Sequence, residues 1–429
     1  MGSKQLASFV SKILPVVTVT VILVSAAWAA STEKVAYSFT GGNDGGDPAA
    51  TLVADAAGNL YGTTVNGGTG RTVCTIGCGT VFELSPVAGG KWKEKVLYSF
   101  TGGSDGKNPY GGVILDSKGN LYGTTVAGGS GGACSSDGCG VVFLLSKSGK
   151  SWVETVMYNF TGGKDGFGPG GALAFDSAGN LYGSTPDGGN RHKCSGGGCG
   201  VVYQISPVRG GGWKQTVLHT FTNGADGAVG SMGPLLVDRA GNVFGVAELG
   251  GDKTCKCGVV FELTPASGKW NFKTLDSFKG IPNAGFPYGG VIADSKGNLY
   301  GTTYYAGAMG VGSVYKLTNT KGTFTESVLY SFTGGADGKW PTTTLMFDGK
   351  GNLYGTTSAG GDSNGDGVVF KLTPKSGGKW AESVAHQFGK GSDGRNPYYG
   401  LISDKAGHLL GTTAIGGGSG QGVVFQITP

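Results

Sequence analysis

Seven imperfect copies of one segment, clearest in Gly112 to Thr125 (GVILDSKGNLYGTT), set the limits on what this chain can fold into. An aspartate closes an apolar run in each copy, at Asp55, Asp116, Asp176, Asp238, Asp294, Asp348 and Asp404. Four residues later stands Asn59, Asn120, Asn180, Asn242, Asn298, Asn352 or, in the last copy, His408. The copies are spaced by 54 to 62 residues. Such a unit cannot bury its apolar face alone, so the copies must stack as an open array or a closed ring. Asp and Asn bond to nearby backbone and Gly supplies positive φ, so each copy reads as a β-hairpin with a tight loop. The seven aspartates are thereby explained as hairpin chemistry.

The second unit, from Leu97 to Val156, shows the rest of the pattern. Four strands are expected: Gly112 to Asp116, Leu121 to Thr125, Gly140 to Ser146, and Trp152 to Phe160 running into the next unit. The first is apolar on both faces and preceded by a small residue in most copies, which predicts the innermost strand near a narrow axis. The third carries an aromatic at one fixed position, Phe82, Phe143, Tyr203, Phe261, Tyr315, Phe370 and Phe425, a stripe expected to pack between adjacent sheets. The fourth starts at Trp92, Trp152, Trp213, Trp270, Phe324 or Trp380 and ends at Phe100, Phe160, Phe221, Phe278, Phe332 or Phe388. Its interleaved Lys, Glu and Thr mark the half-exposed outer strand.

Glu33 to Phe39 is an unaccompanied fourth strand, and Gly422 to Thr428 is a third strand lacking its fourth. Pairing the two closes a ring and removes open edges. The expected fold is therefore all-β: a seven-bladed β-propeller of four-stranded antiparallel blades, closed by the N-terminal strand. Glycine, 88 of 429 residues, marks its turns. Residues 1–29 read differently: Lys4 and Lys12 precede an apolar stretch from Ile13 to Ala27, then Ala27-Trp28-Ala29. This predicts a secretory signal peptide cut after Ala29, with an uncleaved membrane anchor as the alternative, and a propeller domain over 30–429. No second such segment follows. The formal charge of +5, or +3 without Lys4 and Lys12, is too weak and dispersed for a nucleic-acid footprint.

The recurring pattern LYSFTGGxDGxxPxxGLxxDxxGNLYGTTxxGGxxxxGVVFxLTP, from about Ala36 to Pro429, resembles the Gloeo-Verruco (GloVer) tandem repeat of bacterial "choice-of-anchor" secreted proteins. The resemblance implies an exported, propeller-like protein, surface-attached in many members through a C-terminal anchoring segment. It transfers no catalytic residue.

In a propeller the fourth-to-first and second-to-third strand loops share one face, and the repeat's variable residues lie there. That face is the expected binding surface. It carries the GGxDG aspartates Asp44, Asp105, Asp165, Asp226, Asp337 and Asp393, either a cation-binding ring or plain Asp-Gly turns. Tyr110, Tyr288, Tyr398 and Tyr399 follow the next proline and Trp340 precedes one, placed to stack on sugar rings or to pack against neighbouring loops. Blade four departs most from the repeat, with Glu248, and blade five adds Tyr304 and Tyr305. All eight cysteines fall in second-to-third strand loops, as Cys74 with Cys78, Cys134 with Cys139, Cys194 with Cys199 and Cys255 with Cys257. Their spacing favours local disulfides over zinc, the last pair being doubtful for ring strain. Blade six instead has Asp362, Asn364 and Asp366, the start of a calcium loop in which Thr373 replaces the terminal acid, or else a polar turn. Calcium is the one cofactor suggested.

Two functions fit. One is a secreted, monomeric, non-catalytic propeller that binds a glycan or protein partner through its variable face. The other is an extracytoplasmic polysaccharide hydrolase or lyase working at blades four and five, although glycoside hydrolysis normally needs two acids and the scattered histidines define no triad.

Overall fold

The computed structural model describes residues 31–132, 134, 137–194, 197–230, 232–389 and 392–429; the expected leader lies outside the described residues. Seven antiparallel sheets follow one another along the chain. In blade two the order from rim to axis is Ser151–Asn159, Val141–Ser148, Leu121–Thr125 and Val113–Leu115. The N-terminal strand Thr32–Ser38 pairs with Val423–Thr428 in a register running from Thr32 opposite Thr428 to Ser38 opposite Val423, so the last blade takes its outer strand from the start of the chain. The fold is the expected seven-bladed propeller. No helix among the described residues is long and apolar enough to cross a membrane.

The innermost strand is shorter than expected. It spans Val113–Leu115 in blade two and two residues elsewhere, such as Val53–Ala54 and Leu236–Val237. In blades one, four and five a separate piece, Gly46–Pro48, Ala228–Gly230 or Ala284–Pro287, pairs with the far end of the second strand. The strand thus breaks where the blades converge. Crowding is the reason: a Cβ on Gly111 would sit 2.5 Å from the carbonyl oxygen of Gly171 in the next blade.

The core is distributed between blades. The aromatic that ends each fourth strand meets, edge to face, the third-strand aromatic of the following blade. Centroid separations are 5.0 Å for Phe39 with Phe82, 5.2 Å for Phe100 with Phe143 and 5.1 Å for Phe160 with Tyr203. Phe221 with Phe261, Phe278 with Tyr315, Phe332 with Phe370 and Phe388 with Phe425 complete the circle at 5.6, 4.9, 5.1 and 5.0 Å. A β-bulge makes this possible. Phe82 opposes Val96 but the neighbouring Val81 opposes Tyr98, so Leu97 is skipped and the outer strand changes phase. Trp92 therefore packs towards the preceding blade, while Tyr98 and Phe100 pack towards the next. The same shift recurs in all seven sheets.

The glycine of each Leu-Tyr-Gly-Thr-Thr stretch makes room for that aromatic, since a Cβ at Gly123 would lie 2.5 Å from Phe143 Cζ. Gly123→Ala is expected to destabilise the protein by about 1–3 kcal/mol through overpacking. Gly349→Ala, which meets nothing within 4 Å, should stay within about 0.5 kcal/mol in the same denaturant titration.

Two blades place a tyrosine where five place phenylalanine. The hydroxyls of Tyr203 and Tyr315 are fully buried and have no hydrogen-bond partner, and burial pushes both phenols far above their ordinary pKa. Removing an unsatisfied buried hydroxyl recovers its desolvation penalty, so Tyr203→Phe and Tyr315→Phe should each stabilise the fold by about 1 kcal/mol. A fall in melting temperature for both would contradict this.

Candidate functional site: the axial face

The two loop sets expected on one face are knitted together there. Gly68 N–H donates to Gly42 O, Gly129 to Gly103, Gly189 to Gly163, Gly251 to Gly224 and Gly361 to Gly335, at 2.7–2.9 Å, each joining a second-to-third strand loop to a fourth-to-first strand loop.

The GGxDG aspartates are turn-formers. Asp105 accepts from Tyr98 Oη at 3.0 Å, Thr101 N–H at 2.7 Å and Thr101 Oγ1 at 2.6 Å. Asp44, Asp165 and Asp337 repeat this with Tyr37, Tyr158 and Tyr330, while Asp226 and Asp393 face His219 and His386. On the opposite face, Asp116 takes Lys118 N–H, Asn120 N–H, Asn120 Nδ2 and Tyr122 Oη. Burial acts against its charge, but these donors outweigh burial and hold the carboxyl below its ordinary pKa.

All eight cysteines pair as expected, Cys74–Cys78, Cys134–Cys139 and Cys194–Cys199, and the doubtful Cys255–Cys257 as well. Their place in the fold has a consequence for the axis. In six repeats the residue before the proline of this loop has a left-handed backbone, Asp47, Asn108, Gly168, Phe286, Trp340 and Asn396, and Val229, before Gly230, matches it in blade four, with φ between 55° and 66° throughout. Its N–H reaches into the preceding blade. Asn108, Gly168, Val229 and Phe286 donate to the carbonyls of Cys78, Cys139, Cys199 and Cys257; Asp47, Trp340 and Asn396 donate to Gln421, Val311 and Asp366. The disulfide loops therefore position the residues that ring the axial mouth.

Inside that ring lies a cavity of about 250 Å³ to which all seven blades contribute. Tyr110, Tyr288, Tyr398 and Tyr399 line it, with small residues such as Ala50, Gly170, Ala172 and Thr344 between them. Beside it Tyr304 stacks on Trp340 with centroids 5.8 Å apart and planes 24° apart. Tyr288 lies 6.1 Å and Tyr305 4.5 Å from Tyr304, and Lys339 Nζ sits 4.5 Å from the centre of the Trp340 ring. Tyr305 and Tyr398 are exposed. Glu248 joins the same group: burial raises its carboxyl pKa, and its charge adds to burial in pushing Tyr288 up to about 12. The seven residues singled out for ligand contact, Tyr110, Glu248, Tyr288, Tyr304, Tyr305, Trp340 and Tyr398, thus gather at one place.

One member was missed as a site residue. Asp47, pushed up to about 6 by burial, acts electrostatically on Tyr110 and Tyr399. The available signal was its position, the residue before proline in six of the seven repeats, which already held Trp340.

Asp362, Asn364 and Asp366 form a turn. Asp362 Oδ1 accepts from Asn364 N–H at 2.8 Å and Gly365 N–H at 3.2 Å. Asp366 occupies the place of the second cysteine, and its carbonyl accepts from Asn396. Burial raises its carboxyl, Arg395 opposes that, and the charges of Asp362 and Asp393 add to it. Among the described residues no group of three or more His, Cys, Asp or Glu is arranged to hold a metal ion.

No curated protein sequence matches this chain. Among solved structures, a provisionally assigned 6-phosphogluconolactonase from Bacteroides uniformis superposes with a TM-score of 0.51 at 12% identity, covering 86% of this chain and 99% of its own. A protein provisionally assigned as an oxidoreductase (glucose dehydrogenase) from Thermus thermophilus gives 0.42 at 15% identity, covering 93% of this chain and 100% of its own. At these identities the first likeness concerns the fold alone. The Gloeobacter/Verrucomicrobia repeat model matches residues 21–255 and 230–429, so the chain belongs to the Gloeobacter/Verrucomicrobia repeat family.

Proposed function

We propose that this protein is an exported, non-catalytic propeller that binds a glycan at its axial face. The observation that carries the reading is the convergence of Tyr288, Tyr304, Tyr305 and Trp340 beside a tyrosine-lined axial cavity, with half-buried Glu248 among them. Flat aromatic faces suit the apolar faces of sugar rings, and a few polar groups among them suit hydroxyls. Exposed apolar side chains also concentrate on these loops, including Ile281, Met309, Tyr305 and Tyr398. Local disulfides suit an oxidising compartment and hence export.

The repeat offers substitutions that the scaffold already tolerates. Trp340→Asn copies Asn108 and Asn396, and Tyr398→Thr copies Thr342. In a glycan screen followed by calorimetry, each should weaken binding by about 2 kcal/mol, roughly thirtyfold in Kd, with an unchanged melting temperature. Binding to a protein but to no glycan would leave the face and replace the ligand class.

The rival reading, a polysaccharide hydrolase or lyase, draws on Asp47 and Glu248, two acids raised by burial, the first acting on Tyr110 and Tyr399 and the second on Tyr288 and Tyr304. Product formation abolished by Glu248→Gln would favour it.

Calcium at Asp362, Asn364 and Asp366 is a separate proposal. With no terminal acid, its dissociation constant should fall at about 10⁻⁴ to 10⁻³ M. Melting in about 10 mM calcium should then exceed melting in EDTA, and Asp366→Ala should remove the difference. Coincident curves for the unaltered protein would leave a polar turn.

A further inference from the structure

The outer strands carry a second repeated feature, outside the axial site. After the phase change at the bulge, the fourth-strand residues before it face the preceding blade. At one such position stand Glu33, Glu94, Glu154, Gln215, Phe272, Glu326 and Glu382, one for each of the seven seams. Glu94 faces Asp44, Glu154 faces Asp105, Glu382 faces Asp337 and Glu33 faces Asp393. In each of these four glutamates Oε1 is sealed from solvent and has no hydrogen-bond partner.

The other three seams show what the position does. In blade four Phe272 stacks on His219 at this position; Gln215 Nε2 donates to Asp165 O at 3.2 Å, and Thr274 Oγ1, two residues after Phe272, donates to Ala225 O at 2.9 Å, both into the facing GGxDG loop. Both are neutral donors. In the remaining seam the loop aspartate is missing, and there Glu326 accepts from Ala284 N–H at 3.0 Å instead. A glutamate opposite a loop aspartate thus has no donor, whereas a residue that can donate does so to the loop backbone. The aspartates cannot serve, since Asp44, Asp105 and Asp337 each already accept from a tyrosine and twice from a threonine.

We propose that Glu33, Glu94, Glu154 and Glu382 work as proton-holding seam residues, each donating in its neutral form to the facing loop as Gln215 does, so that mild acid tightens the ring and alkali loosens it. The titratable groups facing them across the seams are Asp393 with His386, Asp44 with Tyr37, Asp105 with Tyr98, and Asp337 with Tyr330. Burial first, then the facing aspartate, raises all four glutamates to about 7. A carboxyl raised on folding favours the folded state while protonated. That contribution is present below the unfolded value near 4.5 and is lost as pH rises through about 7.

Melting temperature of the whole protein between about pH 5 and pH 8 tests this. It should fall as pH rises, and the variant E33Q/E94Q/E154Q/E382Q should show a shallower fall and exceed the parent at about pH 8. A residual slope from Asp47, Asp276 and Glu248 will remain, since burial raises these too. Gln215→Glu should steepen the fall by adding an acid pair. Equal slopes for all three proteins would overturn the proposal. If the fourfold variant does not fold, the single variant E154Q takes its place: its infrared spectrum at about pH 6 should lack a neutral carboxyl band that the parent shows, and identical spectra would overturn the proposal equally.

Discussion

The edge-to-face contact between a fourth-strand phenylalanine and the third-strand aromatic of the next blade is the interaction on which the rest of this ring depends. No sheet here is thick enough to own a core. Each blade therefore contributes one aromatic forwards and receives one from behind, and the circle is complete only when Phe39, at the start of the chain, meets Phe82 while Phe388 meets Phe425. Such pairs add about 0.5–1.5 kcal/mol beyond the area they bury. Their geometry fixes other sequence choices. The glycine under each ring tip and the bulge that turns Tyr98 and Phe100 towards the next blade both follow from seating that aromatic.

A second circle lies closer to the axis, made of backbone hydrogen bonds to the preceding blade from the residue before the loop proline in six blades and from Val229 in blade four. Each of those residues is held with positive φ, a conformation that is uncommon for Phe or Trp and an outlier for a β-branched Val. The strain amounts to about 1–3 kcal/mol at each of Val229, Phe286 and Trp340. Four of the seven acceptors are cysteine carbonyls, so the small covalent loops stiffen the part of the molecule that shapes the axial mouth.

Much of this was legible from periodicity. Blade number, strand order, closure and the seam-packing role of the aromatic stripe follow from positions that recur seven times. The gathering of Tyr110, Glu248, Tyr288, Tyr304, Tyr305, Trp340 and Tyr398 followed from loop polarity in a ring. The bulge was not visible, because Trp92 and Phe100 are an even number of residues apart and simple alternation would put them on one face. The broken innermost strand was hidden for a related reason: its apolar run continues through the break, and only the approach of neighbouring blades ends the pairing. Asp47 escaped because an aspartate before proline reads as a turn. It meets Tyr110 and Tyr399 electrostatically only in the fold, since they are 63 and 352 residues away in the chain.

Repetition also separates scaffold from site. A residue that holds the ring must recur, as Asp116 and its six counterparts do on the hairpin face. Departures from the repeat cluster elsewhere, in blades four to six near the axis, where Val229, Phe286 and Trp340 stand at left-handed positions that other blades give to Asn, Asp or Gly. Asparagine at Asn108 and Asn396 satisfies the same backbone with less strain and adds a side-chain bond to the preceding blade, at 3.0 and 2.9 Å. A scaffold selected for stability alone would use it throughout. Trp340 gives up that bond and instead stacks on Tyr304 beneath Lys339, while Phe286 meets Tyr305 edge to face at 5.9 Å. The strained positions thus build one side of the aromatic cluster, which places the specialised part of this ring at blades four to six.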